Sequence, residues 1–346
     1  MLDRRGLILK EVVDRYIKTR KPVSSKELVE EYGHRWCSAT VRNELAALER
    51  EGYLYKPSPS AGRVPTAKGF RYFARWLLEL GESREEEGKY LVEPFQRRLH
   101  DVEELLRLGA LALATMAREA GFVIAPSLKR LRLLKTHLEP IGRKGILLII
   151  LTELGLVGSL LVRLPRHPCL EDVVEAGAIL DRLLRRRSLS QVPELLEAET
   201  GWYGRPRRIV REVLEAVARW PGERKLFLRG LQYLYASFSS PPGRGLPREL
   251  LRLLGEEQSF VELVLEIHRT GTGAQVRVGD LPVPGLEEVS LVSAPYLSGM
   301  RVLGVIGPLW LDYALALSAV RYVAKRLSGH LALWEEACES QEVSAR

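Results

Sequence analysis

Asn43 and Arg50 sit two helical turns apart in this 346-residue chain, and both carry groups that match the edges of nucleic-acid bases. An asparagine amide pairs bidentately with adenine, and an arginine guanidinium does so with guanine. They belong to the run Ser38-Ala39-Thr40-Val41-Arg42-Asn43-Glu44-Leu45-Ala46-Ala47-Leu48-Glu49-Arg50-Glu51-Gly52. Val41, Leu45 and Leu48 recur at the i, i+4, i+7 spacing of one buried helical stripe. At 100° per residue the opposite face carries Ala39, Asn43, Ala46, Ala47 and Arg50. Three alanines there leave the backbone free to approach a flat partner. Arg42 and Thr40 lie on the flanks, where phosphates would pass. Ser38 is expected to cap the helix and Gly52 to end it in a left-handed conformation. A plain amphipathic helix with a solvated outer face has the same pattern, so the surroundings must decide.

The charge distribution decides for a polyanion. Residues 1–75 hold 16 Lys and Arg against 9 Asp and Glu, whereas the rest of the chain holds 36 against 35. Nearly all of the net charge of +8 therefore belongs to the N-terminal fifth. Lys56, Arg63, Lys68, Arg71 and Arg75 follow one another with no acidic residue between them. A local excess of this kind attracts DNA.

The elements that must position these residues read as follows. Asp3 to Thr19 has the apolar spacing of a first helix, through Ile8, Val12 and Ile17 with Leu9, Val13 and Tyr16 beside them. Ser24-Ser25-Lys26-Glu27 is a capping box, opening a second helix that stops at Gly33. A turn from His34 to Cys37 leads into the helix that carries Asn43. Tyr53-Leu54-Tyr55-Lys56 and Val64 read as strands around a turn-rich loop, Pro57 to Arg63. Three helices and a two-stranded ribbon make a winged helix-turn-helix, with Arg63 at the wing tip, placed for a minor groove or a phosphate. Thr66 caps a closing helix through Leu80, along which Lys68, Arg71 and Arg75 are spaced.

Beyond residue 80 the pattern is α+β and multidomain. Glu82 to Glu87 is an exposed acidic hinge, and 81–120 is a linker and helical segment. Within it, Tyr90 to Gly121 has an apolar surface from Leu99 to Leu113 that is either core or an oligomer seam. Leu131 to Leu138, Gly145 to Leu151 and Leu156 to Val162 read as strands, and Leu170 to Arg187 as a helix. Ser259 to Ile267, Gln275 to Val278, Val289 to Ala294 and Arg301 to Ile306 read as further strands, before a helix from Asp312 to Leu333. These give a discontinuous α/β sensor-like domain, 121–187 plus 259–335, interrupted by a mainly helical insertion, 188–258, and followed by a tail, 336–346.

No catalytic or metal-binding constellation emerges. His34, His100, His137, His167, His268 and His330 form no His-x-x-x-His pair, and His167-Pro168-Cys169 reads as an isolated loop. Gly271-Thr272-Gly273 lacks the context of a phosphate loop, and no Gly-x-Ser-x-Gly elbow occurs. No cofactor and no enzymatic activity are expected. Cys37, Cys169 and Cys338 are few and scattered, which fits a reducing, cytoplasmic setting. The longest apolar run, Ile146 to Val162, contains Glu153 and two glycines and falls short of the roughly 20 residues of a membrane helix.

Two runs resemble a known family. Ser38-Ala39-Thr40-Val41-Arg42-Asn43-Glu44 and Pro57-Ser58-Pro59-Ser60-Ala61-Gly62-Arg63-Val64-Pro65-Thr66-Ala67-Lys68-Gly69-Phe70-Arg71-Tyr72 are similar to the N-terminal signature of the heat-inducible transcription repressor HrcA family. Gly273-Ala274-Gln275-Val276-Arg277-Val278-Gly279, Gly304-Val305-Ile306-Gly307-Pro308 and Asp312-Tyr313 resemble its C-terminal signature. Cys37 replaces a common serine, and Trp310-Leu311 replaces the usual basic-methionine pair. The resemblance implies a GAF-like domain carrying an inserted dimerisation domain. It further implies a homodimeric repressor of chaperone operons on an inverted-repeat operator, with the GroE chaperonin as a candidate partner. The rival reading is a GAF-domain small-molecule sensor or enzyme whose basic arm is incidental.

Overall fold

A first helix, α1 (Arg4–Thr19), buries Ile8, Leu9, Val12, Val13, Tyr16 and Ile17 on one face, the stripe that the apolar spacing predicts. The computed structural model describes residues 4–31, 36–81, 102–198, 204–220, 225–269, 273–297 and 301–344. The expected stop at Gly33, His34 in the following turn, the 82–87 hinge, 90–101 with Leu99, and Gly271-Thr272 lie outside them. The second helix, α2 (Ser25–Glu31), opens on the expected capping box. The Ser24 amide donates to Glu27 Oε2 at 2.7 Å and the Glu27 amide to Ser24 Oγ at 3.3 Å. These bonds hold the Glu27 carboxyl below its usual range.

Next comes α3 (Ser38–Arg50), with Val41, Leu45 and Leu48 buried. Its cap is Cys37 and not Ser38, because the first intrahelical bond already runs from the Val41 amide to the Cys37 carbonyl. Gly52, at φ +76°, follows the helix as expected. Strands β1 (Leu54–Tyr55) and β2 (Val64–Pro65) pair antiparallel, Leu54 opposite Pro65. Val23 joins this ribbon through a two-way backbone bridge with Arg63. Gly62 permits that approach, since a Cβ there would lie 2.5 Å from the Val23 carbonyl. Thr66 caps α4 (Ala67–Leu80) by accepting from the Gly69 amide, and Gly81 ends it.

The segment expected to be helical to Gly121 is shorter: α5 (Val102–Ala117) gives way to strand β3 (Ala120–Ile124). Leu105, Leu106 and Leu113 are fully buried within the chain, so this part of the apolar surface is core, whereas Leu111 is exposed. Gly121 lets α5 lie close on β3, because a Cβ there would meet the Ala110 carbonyl at 2.6 Å.

The chain divides into two compact units, and residues Ala125–Lys225 form the body of one. There β4 (Leu133–Ile141), β5 (Gly145–Thr152) and β6 (Val157–Arg163) pair antiparallel in chain order. Helix α6 (Leu170–Leu184) packs on β4 and on α8 (Arg205–Arg219), with the short α7 (Val192–Ala198) between them in sequence. Asp181 of α6 accepts the Thr136 amide of β4 at 2.8 Å and pairs with Arg185. The inserted body thus begins and ends earlier than the expected 188–258. Its three strands, expected in the sensor domain, 121–187 plus 259–335, form a sheet of their own; each reads as a strand whichever sheet it joins. Pairing is local here, each strand bonding to the next along the chain.

The return to the other unit starts with β7 (Leu226–Arg229). Helices α9 (Leu231–Ser239), α10 (Arg248–Gly255) and α11 (Glu257–His268) follow. Strands β8 (Gln275–Val278), β9 (Val289–Tyr296) and β10 (Arg301–Pro308) then complete an antiparallel sheet of order β7-β3-β10-β9-β8. Ser259–Ile267, expected as a strand, is helical: Phe260, Val261, Val264 and Ile267 are buried at i, i+1, i+4 and i+7. An apolar run this short fits both periods, and packing against Phe122 and Phe238 selects the helix. The last helix, α12 (Tyr313–Ser344), absorbs most of the expected tail. Mixed helix and sheet agree with the α+β expectation.

Candidate nucleic-acid interface

The outer face of α3 is Ala39, Asn43, Ala46 and Arg50, all exposed. Ser38 is exposed beside them at the first helical position. Ala47, expected on this face, is instead 7% exposed. The reason is that α3 packs on both α1 and α2, so its buried sector is wider than one stripe. Neither Asn43 nor Arg50 has a hydrogen-bond or ion-pair partner among the described residues, and both side chains stand exposed. Arg42 is exposed on the flank and reaches Ser25 Oγ at 3.4 Å. Thr40 Oγ1 lies 3.0 Å from Cys37 Sγ. That hydroxyl and the first amides of the helix lower the Cys37 thiol from its ordinary range.

Glu44 occupies the seam behind this face. Its carboxylate takes Arg4 Nε at 3.3 Å and Arg5 Nε at 2.9 Å, while Arg5 Nη1 reaches Glu51 at 2.5 Å. Two of the N-terminal basic charges therefore fasten α1 to α3. A residue count gives no hint of this, because the partners are about 40 residues apart.

The five basic residues from Lys56 onward do not act alike. Lys56 Nζ donates to the Pro59 carbonyl and closes the loop of the ribbon. Arg63 is not at the tip of that loop. It is held in the bridge with Val23, its side chain is 19% exposed, and Nη2 pairs with Glu49 at 2.9 Å. Lys68 is exposed, with Nζ donating to the Glu51 carbonyl at 2.8 Å and standing 4.1 Å over the Tyr53 ring. Arg71 faces inward. Its Nη2 and Nε donate to the Val278 carbonyl at 2.9 and 3.2 Å, and Asp280 lies 3.3 Å from Nε. Arg75 is exposed and has no ion pair among the described residues. The outward cations are thus Arg42, Arg50, Lys68 and Arg75, arrayed on α3 and α4.

Arg71 belongs to a second set of contacts, which joins these helices to the five-stranded sheet. Arg20 Nη1 donates to the Trp310 carbonyl, and Arg321 Nη2 to the Leu78 carbonyl at 3.3 Å. The Phe70 ring packs 6.5 Å from that of Tyr313. Tyr313 is fully buried, its hydroxyl bonded to Leu309 O and Ser290 Oγ. Asp312 caps α12 through the Leu315 amide at 3.1 Å. Trp310, one of the departures from the family pattern, packs its ring against Phe238.

Comparison with known proteins completes the picture. Residues 103–316 match the family model described as HrcA protein C terminal domain. A protein named heat-inducible transcription repressor HrcA in Halalkalibacterium halodurans is 30% identical over 95% of this chain and 97% of its own length. One of the same name in Acidothermus cellulolyticus is 33% identical over 96% of this chain and 99% of its own. A crystal structure described only as that of a hypothetical protein superposes with a TM-score of 0.64. It is 26% identical and matches 96% of this chain and 99% of the other.

Proposed function

The chain belongs to the HrcA family, and from that premise we propose that it is a sequence-specific DNA-binding repressor of heat-shock operons, acting as a homodimer on an inverted-repeat operator. In this reading α1 to α4 with the β1–β2 ribbon form a winged helix-turn-helix whose α3 enters the major groove. The observation that carries it is the outer face of α3, where Asn43 and Arg50 stand exposed among small residues. Arg42, Lys68 and Arg75 are the phosphate contacts beside it. Arg63 and Arg71 support the reader from within, through Glu49 and Val278.

The five-stranded sheet is the GAF-like domain of this reading, and the unit around Ala125–Lys225 is its dimerisation domain. One face of the three-stranded sheet buries Ile146, Leu148 and Ile150 completely. The other exposes Val157 and Leu161, which pair across strands with Leu151 and Leu147. An apolar sheet face open to water marks an interaction surface, and a two-fold partner covers it with the same face. The GroE chaperonin is the partner that helps keep the repressor active, and the setting is cytoplasmic.

The test is a gel shift of the full chain on an inverted repeat against a scrambled duplex, with wild type and Asn43→Ala side by side. Preference for the repeat that is lost in the variant supports the reading. Equal binding of both duplexes by wild type overturns it.

A further inference from the structure

A cavity of about 560 Å³ opens where the end of α1 faces the turn from α5 into β3. Its volume is that of a small-molecule site. The charged groups around it are Lys18 and Arg20 from α1, Arg118 and Glu119 from the turn, and Asp312 ahead of α12. Ser237 of α9 completes the polar wall, and Ile17 and Leu315 give it an apolar side.

Glu119 is the unusual member. It is 4% exposed, and its Oε1 accepts from Ser237 Oγ at 2.5 Å. Its Oε2 is buried with no hydrogen-bond partner among the described residues. Burial pushes this carboxyl up to about 8, against the pull of Arg20, so at neutral pH it carries a proton and can donate. Arg20 spends one nitrogen on the neutral Trp310 carbonyl, and Arg118 has no ion pair among the described residues. Lys18 is paired with Asp14 at 2.6 Å, and Asp312 is engaged by the Leu315 amide. With Glu119 protonated, the walls are net positive. Both arginines also hold left-handed backbone, φ +57° at Arg20 and +53° at Arg118. In both it is the turn that follows a helix end, α1 for Arg20 and α5 for Arg118.

We propose that this cavity binds a small organic anion, its oxyanion held by the guanidinium groups of Arg20 and Arg118 and by a hydrogen bond from the Glu119 carboxyl. A cation would meet Arg20 and Arg118 with only Asp312 opposing them, and a neutral molecule would leave Arg118 unanswered. Arg20 leaves the end of α1, whereas Glu119 leads into β3 and Asp312 follows β10. An occupant therefore bridges the helices that carry the α3 face to the domain behind them. Its effect on operator binding rests on the repressor reading; its binding does not.

The test uses the full chain and four ring probes of similar size: benzoate, phenyl phosphate, benzylamine and benzyl alcohol. Binding is followed by saturation-transfer NMR and titration calorimetry at pH 6.5 and 9. Benzoate or phenyl phosphate should bind, and benzylamine and benzyl alcohol should not. The preference between the two anions tells carboxylate from phosphate ligands. Arg118→Ala, at an exposed position, should weaken the bound anion about tenfold by removing one charged contact. Raising the pH to 9 ionises Glu119 and should weaken binding to wild type about tenfold. Glu119→Gln keeps a donor and should bind equally at both pH values. Binding of benzylamine or benzyl alcohol as tight as the anions, an unchanged Arg118→Ala, or no anion bound at all would overturn the site. Failure of operator binding with the anion still bound would count against the repressor reading alone.

Discussion

Glu119→Gln should turn a pH-dependent fold into one much less so. In the native chain this carboxyl holds its proton up to about pH 8, because it is buried and its second oxygen has no partner among the described residues. In the unfolded chain the same group releases its proton near 4.5. Between these values the native state binds more protons than the unfolded state, so stability falls as pH rises. At about 1.4 kcal/mol per pH unit across that window, the loss amounts to of order 4–5 kcal/mol by pH 8 and above. That is a large share of the roughly 5–15 kcal/mol that stabilises a typical domain. Glutamine has the same shape, keeps an oxygen for the Ser237 hydroxyl and has no proton to lose. Urea unfolding at pH 5, 6, 7, 8 and 9, followed by tryptophan fluorescence, measures the difference between the two proteins. Groups that titrate in both cancel in that difference. The variant should match wild type near pH 5 and exceed it by several kcal/mol at pH 9. Curves that stay parallel over the whole range would refute the assignment of a protonated, buried carboxyl.

Three further outcomes follow from the proposed interface. Asn43→Ala should lose roughly 1–3 kcal/mol of operator binding and leave non-specific binding unchanged, read by competition with a scrambled duplex. Arg75→Ala should lower the slope of log K against log salt by about one on every sequence, whereas Arg71→Ala, whose group faces Val278, should leave the slope as it is. Leu161→Glu should shift the chain towards monomer in sedimentation and weaken operator binding steeply; an unchanged association state would place the dimer surface elsewhere.

What was legible in the sequence is what local pattern controls. The helices up to Leu80, the Ser24–Glu27 box, the Gly52 stop and the Thr66 cap each depend on residues a few positions apart, and each lies where spacing puts it. Two kinds of feature were not legible. One is pairing at long range: β3 bonds to β7 and β10, which come more than 100 residues later, and spacing alone does not show that β4, β5 and β6 form a separate sheet. The other is the partner of a charge. Arg63 and Arg71 look like their neighbours Lys68 and Arg75 in composition. Only the fold places Glu49 and Asp280 against the first pair. Ala47 is a milder case, since helical phase alone cannot say that two helices cover α3 from adjacent sides.

The two signature stretches, about 200 residues apart, meet in space. From the first, Gly69 lets α4 close on the ribbon, because a Cβ there would lie 2.4 Å from the Tyr53 carbonyl. Its neighbours Phe70 and Arg71 then face the second stretch at Tyr313 and Val278. Gly279 ends β8 at φ +62°, and a Cβ there would stand 2.6 Å from the Glu287 carbonyl and 3.3 Å from Ala67 Cβ. Residues that read as a basic DNA-binding stretch thus divide by face. Lys68 and Arg75 turn outward, and Gly69, Phe70 and Arg71 seat α4 on the sheet. One helix therefore serves both the proposed reader and its support. A change in the sheet domain near Val278, Trp310 or Tyr313 has a direct path to the position of α4, and through the β1–β2 ribbon to α3. The cavity beside Arg20 lies along the same seam, with α1 on one side and the start of α12 on the other. On the proposal above, an anion that fills it rests against both α1 and the start of α12.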